Sequence, residues 1–541
     1  MSAAAIASSK GDFMILPDHT PLRLLGAMLA FGALASAQAP SAVPRVISAD
    51  LNHVRGPQSK VFRRCIGAGR ANEGLRADWQ QQLALVQRDI GFDYIRMHGL
   101  LHDDMGVYQE DAKGNPVYNF QYVDQLFDAL LRLRIKPFVE LGFMPSALAS
   151  GKDTVFWWKG NITPPKSYDK WAGLITALIR HWEQRYGKDE VKTWYFEVWN
   201  EPDIKPFYTS TLEEYLKLYR VTAEAIKKTD QAYRVGGPAS ASPYRFEEAL
   251  VAFCAHEKVP IDFVSTHAYG VKEGFFDETG NRGTVLDADP GAVRDRMVHS
   301  RELIRNSPLP NLELHFTEWS SAYTPTDPIH DQYHQAAFIL DKVKGAQESV
   351  DSMSYWVFTD IFEENGPRVT PFHGGFGLLN YQGIKKPAYH AYRFLSRLGE
   401  TEIVNADKSS WVCTDRDGGI QVLFWDFTPI APPDKLNDQT YYKGDLPAAS
   451  KAPVTVDLTN LPDGTYFEQV YRVGYRQNDS YTTYLDLGAP AQLTKAQVGA
   501  LSGTASGEPS ESRIVSVTGG RFQFQSPFTA NEVCLIVLRR M

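Results

Sequence analysis

Between about residues 60 and 395 the chain alternates between two hydrophobic periods. Short runs rich in β-branched and aromatic residues occur at 62–69, 93–99, 136–143, 193–200, 233–239, 262–269, 312–318 and 352–359. Such runs suit strands buried on both faces. Longer amphipathic stretches follow each of them, at 73–90, 121–134, 168–186, 211–229, 244–257, 290–306, 330–348 and 387–398. In the second, Val123, Leu126, Phe127, Leu130 and Leu131 recur on one helical face. Thr211 precedes Glu213 and Glu214, which places acidic side chains in a first helical turn, where the helix dipole favours them. Eight strand–helix alternations over about 335 residues predict an α/β chain folded as a (β/α)8 TIM barrel rather than an open doubly wound sheet. Gly67-Ala68-Gly69-Arg70 after the first strand lacks the third glycine of a dinucleotide-binding turn, so no such cofactor is expected.

Past residue 400 the pattern shortens. Segments 410–414, 420–427, 453–458, 464–475, 513–518, 521–525 and 532–539 are β-prone and separated by Gly, Pro, Asn and Asp. They predict a C-terminal antiparallel β-sandwich packed on the barrel, to which residues 43–56 offer an N-terminal strand. The expected organisation is a leader over 1–39, a catalytic barrel over 40–398 and a sandwich over 399–541. In the leader, residues 22–34 are apolar apart from Arg23 and run into Ala35-Ser36-Ala37, the small-residue pattern of a cleavable export signal. Asp12 and Asp18 suit a signal's basic start poorly, and Met14 offers a later start that shortens this stretch. Thirteen residues are too few to anchor the chain across a bilayer. The protein is therefore expected to be periplasmic or secreted if the leader is removed, and cytoplasmic with an uncleaved extension otherwise.

Composition narrows the partners. Charged residues make up 22% of the 541, the net charge is −8 and the pI is near 5.9, so the basic face that nucleic acid or an anionic membrane demands is not expected. Cys65, Cys254, Cys413 and Cys534 form no C-x-x-C pair; they read as buried thiols, with Cys413 and Cys534 the pair to check for a disulfide.

The chemistry is expected at the C-terminal strand ends, where barrel enzymes carry their reactive groups. The apolar body of the fourth strand stops at Asn200-Glu201-Pro202-Asp203, and the seventh ends Thr317-Glu318-Trp319. Two carboxylates facing each other across a barrel mouth are what glycoside hydrolysis requires: one proton donor for the leaving oxygen and one carboxylate at the cationic sugar carbon. Their mutual repulsion lets one hold a proton while the other stays ionised. Asn200 is placed to contact the sugar 2-hydroxyl. Glu197, four residues before Glu201 on the same strand face, and Glu140 and Glu313 are assigned structural roles. His98 and His102 stand four apart without a third ligand motif, so no metal is expected.

The stretches Phe196–Asp203 and Phe316–Trp319 resemble the acid/base and nucleophile strands of glycoside hydrolase family 39, the β-xylosidases. Tyr355–Glu364, Phe372–Leu378, Tyr471-Arg472-Val473, Asn478–Thr482 and Leu487–Pro490 extend the resemblance, which covers about residue 45 to the end. It implies a retaining, exo-acting enzyme that releases β-D-xylose from xylo-oligosaccharides without a cofactor. It also implies that Glu201 is the acid/base, Glu318 the nucleophile, and that His98, His267, Tyr269, Trp356, Glu363 and Glu364 line the subsite of the sugar being cleaved. Phe143 is a candidate pocket wall and equally a candidate core residue. The alternatives are a related pentosidase such as an arabinofuranosidase, an iduronidase-like enzyme, and a non-catalytic carbohydrate-binding barrel. The iduronidase reading wants a cation for its substrate's carboxylate, whereas the strand-eight loop offers Glu363 and Glu364.

Overall fold

The computed structural model describes residues 44–241, 244–276, 282–430, 432 and 439–541. The expected leader over 1–39 lies outside them. Among the described residues no helix is long and apolar enough to cross a membrane.

Eight parallel strands close into a barrel: β1 (Cys65–Arg70), β2 (Tyr94–His98), β3 (Lys136–Leu141), β4 (Tyr195–Val198), β5 (Arg234–Ser240), β6 (Phe263–Tyr269), β7 (Glu313–Ser320) and β8 (Ser352–Tyr355). The ring shuts where Tyr355 of β8 pairs with Ile66 of β1. Around it lie α1 (Ala77–Asp89), α2 (Gln121–Arg132), α3 (Tyr168–Tyr186), α4 (Leu212–Thr229), α5 (Arg245–Glu257), α6 (Ala292–Arg305), α7 (His334–Ala346) and α8 (Pro387–Ser396). Thr211 caps α4 by accepting the Glu214 N–H, so the acidic first turn read from the sequence begins on a true N-cap.

Alternation along the strands decides what fills the lumen. At its N-terminal end Tyr94, Phe138, Tyr195 and Phe263 pack with ring centroids 4.9 to 5.5 Å apart. Two residues further along the same strands come Arg96, Glu140, Glu197 and Ser265, all buried. The polar layer therefore starts directly above an aromatic plug.

The N-terminal strand Arg45–Pro57 joins a nine-stranded sheet with β9 (Thr401–Asn405), β10 (Ser410–Thr414), β11 (Ile420–Trp425), β12 (Ser450–Thr459), β13 (Gly464–Val473), β14 (Glu511–Val517), β15 (Arg521–Thr529) and β16 (Val533–Arg540). Its order is β14-β13-β16-β11-β10-β9-N-terminal strand-β12-β15. The sheet is mixed rather than purely antiparallel, because the N-terminal strand runs parallel to β12. It folds over one apolar core: Phe424 of β11 meets Phe528 of the edge strand β15, 5.4 Å between rings. Its other face packs on the barrel helices, as where Phe427 meets Phe338 of α7 and Tyr471 meets Phe394 of α8. Cys413 belongs to that barrel-facing core and Cys534 to the inner one, with β11 between their strands. The pair cannot bridge, and all four cysteines are buried free thiols.

Between β13 and β14 the chain inserts two helices that the strand pattern did not predict, α9 (Ser480–Asp486) and α10 (Lys495–Thr504). Asp479 caps the first, and Thr494 with Gln497 forms a capping box on the second. Tyr481 and Tyr484 of α9 pack on Phe372 and reach the barrel mouth.

Candidate active site

A cleft of about 1600 Å³ opens over the C-terminal ends of the barrel strands. Glu201 follows β4 and Glu318 lies in β7; both line the cleft, 7% and 4% exposed. Trp199 and Glu201 hold left-handed backbone angles, φ 75° and 46°, which non-glycine residues adopt rarely. The Glu201 N–H donates to the Ala239 carbonyl at 2.9 Å, tying this turn to the end of β5. A carboxylate oxygen of Glu201, one of Glu318 and a ring nitrogen of His267 all lie within 4.8 Å of one another.

The two glutamates sit in unlike surroundings. Glu318 Oε1 is 2.5 Å from an Arg96 terminal nitrogen, and its Oε2 accepts the Tyr269 hydroxyl at 2.7 Å. Burial raises its pKa, while Arg96, His98 and Tyr269 oppose that rise. Glu201 lies 2.8 Å from His267 Nδ1. Burial is the largest cause pushing it well above the ordinary carboxylate range, and the charges of Glu318, Asp203 and Glu364 push the same way. The proton shared by this pair therefore belongs on Glu201. His267 is fully buried behind Glu201 rather than on the cleft wall, and burial holds it well below its usual pKa, as a neutral ring.

Arg96 is the residue that sequence reasoning missed. Wholly buried, its guanidinium reaches Glu197 at 2.7 Å, Asn200 Oδ1 at 2.8 Å, Glu140 at 2.9 Å and Glu318 at 2.5 Å. It thus joins Asn200 and Glu318 to the two deeper glutamates and fixes all four. The signal was present: a lone arginine inside Asp93-Tyr94-Ile95-Arg96-Met97-His98-Gly99, two residues before His98 and so on its face. His98 itself donates or accepts at Glu140, 2.6 Å from Nδ1, and turns Nε2 toward Glu318 at 3.5 Å and Glu364 at 3.7 Å. Burial brings its pKa to about 3, so the ring is neutral, and it raises Glu140 to about 8.

Trp356 closes the floor, its ring 4.7 Å from that of His98 and 5.7 Å from the Arg96 guanidinium. It lies flat against Gly67, where a Cβ would come within 2.5 Å of the indole, so the glycine-rich end of β1 serves this approach. Glu364 lines the cleft, and burial with the Glu318 charge lifts its pKa well above normal. Its neighbour Glu363 does not line the cleft. It turns the other way to Arg76 at 3.1 Å and Arg70 at 3.2 Å, while its N–H donates to Glu73. The pair opens a turn closed by the Gly366 N–H donating to the Glu363 carbonyl at 3.0 Å, and within it the two side chains split between the cleft and its support. Phe143 is also out of the cleft: fully buried, it packs behind His98, Phe156 and Phe207. Asn200, Tyr269, His98 and Trp356 do line it.

His102 leaves the floor to pair with Asp104. The cleft lining also includes three cationic side chains not named in the sequence analysis: Arg296 from α6, Arg368 from the loop after β8, and Lys443.

The model of glycosyl hydrolases family 39 matches residues 46–521. The chain belongs to this family. It is 44% identical over 379 residues to a β-xylosidase of Geobacillus stearothermophilus, covering 68% of this chain and 74% of that protein. It is 41% identical over 451 residues to a β-xylosidase of Caldicellulosiruptor saccharolyticus, covering 82% and 88%. The crystal structure of the family 39 enzyme from Xanthomonas axonopodis pv. citri superposes with a TM-score of 0.90 at 41% identity, over 94% of this chain and all of that one. The chain is thus a glycoside hydrolase, and the barrel mouth is where its chemistry belongs.

Proposed function

We propose that this family 39 hydrolase is a retaining, exo-acting β-xylosidase that removes β-D-xylose from the non-reducing end of xylo-oligosaccharides. The observation that carries the reading is the convergence of Glu201 and Glu318, oxygen atoms within 4.8 Å, on one cleft floor. Carboxyl groups roughly 5 Å apart leave no room for a water between them and the sugar carbon, as retention requires. Glu201, protonated, gives its proton to the glycosidic oxygen as the bond to the sugar breaks. Glu318, kept ionised by Arg96 and Tyr269, forms the bond to the anomeric carbon. Esterification then removes the Glu318 charge that helped hold the proton on Glu201. Glu201 becomes a base, takes a proton from water, and the hydroxide displaces Glu318 with net retention.

The sugar follows from chemistry and kinship together. Two relatives more than 40% identical to this chain are named β-xylosidases. Half-buried Glu364 and buried Trp356 offer the floor one hydrogen-bonding group for hydroxyls and one stacking face, which suits a neutral pentose. A uronic acid in that subsite would set its carboxylate against the ionised Glu318, which disfavours an iduronidase-like activity. The test is a panel of aryl glycosides differing only in the sugar, with proton NMR of the first-formed anomer. β-Xyloside cleavage with β-xylose appearing first is expected; a faster arabinofuranoside, or α-xylose first, would overturn the reading.

A further inference from the structure

Glu73 is a buried carboxyl group that the mechanism does not use. It lies in the helical turn Ala71–Leu75, just past β1, and is 1% exposed. Burial, and after it the charge of Glu363, pushes its pKa to about 8 against the pull of Arg70. Burying such a group is unfavourable unless it is hydrogen-bonded, so where its two oxygens point is informative. Oε2 accepts the Arg70 N–H at 3.2 Å and serves its own turn. Oε1 accepts the Glu363 N–H at 2.8 Å and serves a segment 290 residues away. A Cβ on Gly69 would collide with this carboxyl group, so the glycine leaves it room.

The contact crosses the seam where the barrel closes. β8 and β1 share the pair Tyr355 with Ile66, and the Phe358 N–H then donates to the Gly67 carbonyl at 3.0 Å. The Thr359 hydroxyl next donates to Gln82 of α1 at 2.6 Å, and Glu73 takes hold at Glu363. The Glu363 side chain is gripped by Arg76 at 3.1 Å and Arg70 at 3.2 Å. From the other flank the Trp157 N–H donates to the Glu364 carbonyl at 2.6 Å. The backbone of this turn is therefore pinned on both sides. The Glu364 carboxyl group it carries is not: among the described residues it accepts no hydrogen bond, and His98 Nε2 stands off at 3.7 Å. Its place in the cleft is set by the backbone beneath it.

The order of groups along the floor says what that place is for. Glu318 turns Oε2 toward Tyr269 and His267, on the Glu201 side, and Oε1 toward Arg96 and His98. His98 Nε2 lies between Glu318 at 3.5 Å and Glu364 at 3.7 Å. With the anomeric carbon between Glu201 and Glu318, Glu364 meets hydroxyls on the far side of the same ring.

We propose that Glu73 and Arg76 are positioning residues: by holding Glu363, one at its N–H and the other at its side chain, they set Glu364 where it grips the hydroxyls of the terminal sugar. The proposal rests on the xylosidase reading and adds to it two residues outside the cleft. Its test is a double-mutant cycle on an aryl β-xyloside, with Glu73→Asp, Glu73→Gln and Arg76→Gln each made in wild type and in Glu364→Gln. Inhibition by xylose is measured alongside, as a reading of sugar binding without chemistry.

Aspartate is one methylene too short to span the seam, so Glu73→Asp should lower kcat/KM about tenfold, chiefly through KM, and weaken xylose inhibition to match. Glu73→Gln keeps an acceptor at full reach and should cost less than about threefold. Arg76→Gln, at a partly exposed residue, should cost about threefold and carries the cycle if Glu73→Asp does not fold. In the Glu364→Gln background each of these losses should shrink below about twofold. Losses of the same factor in both backgrounds would overturn the proposal, because a general structural role predicts additivity. Glutamine as damaging as aspartate at position 73, or xylose inhibition unmoved by either clamp variant, would overturn it as well. Failure of wild type on the aryl xyloside would instead remove the parent reading.

Discussion

At the N-terminal end of the barrel, Tyr94, Phe138, Tyr195 and Phe263 fill the lumen with packed rings; one pleat higher, the same strands present Arg96, Glu140, Glu197 and Ser265. Both layers are buried and both are close-packed. The lower one is held by apolar area, which tolerates exchange of like for like. The upper one is held by a single guanidinium facing three carboxyl groups, and there every charge is positioned by another. Two-residue alternation thus lets one set of strands build a plug and a reactive floor without a change of fold. Stability resides in the first and chemistry in the second.

Substitutions in the two layers should separate these roles, and the largest effect belongs to the floor. Glu318→Gln should reduce kcat on aryl xyloside on the order of 10⁴-fold or more, whereas Phe138→Leu in the plug should cost less than about 1.5 kcal/mol in urea unfolding and leave kcat within about twofold. Glu201→Ala should lower kcat/KM on xylobiose by about 10³-fold while sparing the first step on a dinitrophenyl xyloside, whose leaving group needs no proton. Azide should then restore turnover and yield β-xylosyl azide. Equal damage on both substrates would remove Glu201 from the acid/base role.

Arg96→Met would leave three buried carboxyl groups without their cation. A loss of about 3–5 kcal/mol in unfolding free energy is expected, together with an upward move of the acid limb of kcat/KM. The sign follows from Glu318: Arg96 is the leading influence opposing its raised pKa, and the nucleophile must be ionised, so without Arg96 activity is lost at a higher pH as pH falls. The smallest effect concerns the basic limb. Glu201 must be protonated, so activity falls as pH rises through its raised pKa. Because the Glu318 charge is the leading Coulombic cause of that rise, Glu318→Gln should lower the Glu201 pKa by more than about one unit, read by carbon-13 NMR of the labelled carboxyl. An unmoved Glu201 would break the coupling between the two.

The sequence made the barrel legible because its strands and helices differ in period as well as in composition, and α3 begins and ends at the residues read from the pattern. Glu201 and Glu318 were legible because each interrupts an apolar strand at its C-terminal end. Arg96 was not, since a strand read as apolar gave no reason to ask what its one charge would face. Glu363 and Glu364 read as one acidic pair, and only the turn they open shows that one supports and the other lines. The helices α9 and α10 were hidden because α10 carries little apolar asymmetry, with Leu501 its one buried side chain. Their contribution of Tyr481 and Tyr484 to the cleft depends on contact between segments about 280 residues from Glu201, which no local pattern carries.

The most direct measurement is to trap the enzyme with a 2-fluoro β-xyloside bearing a good leaving group and locate the label by peptide mass spectrometry. A fluoroxylosyl ester on Glu318, formed in wild type and absent in Glu318→Gln, is the predicted result. A label on Glu364 or Glu201, or full inactivation with no covalent adduct, would contradict the assignment of these two glutamates to one sugar carbon.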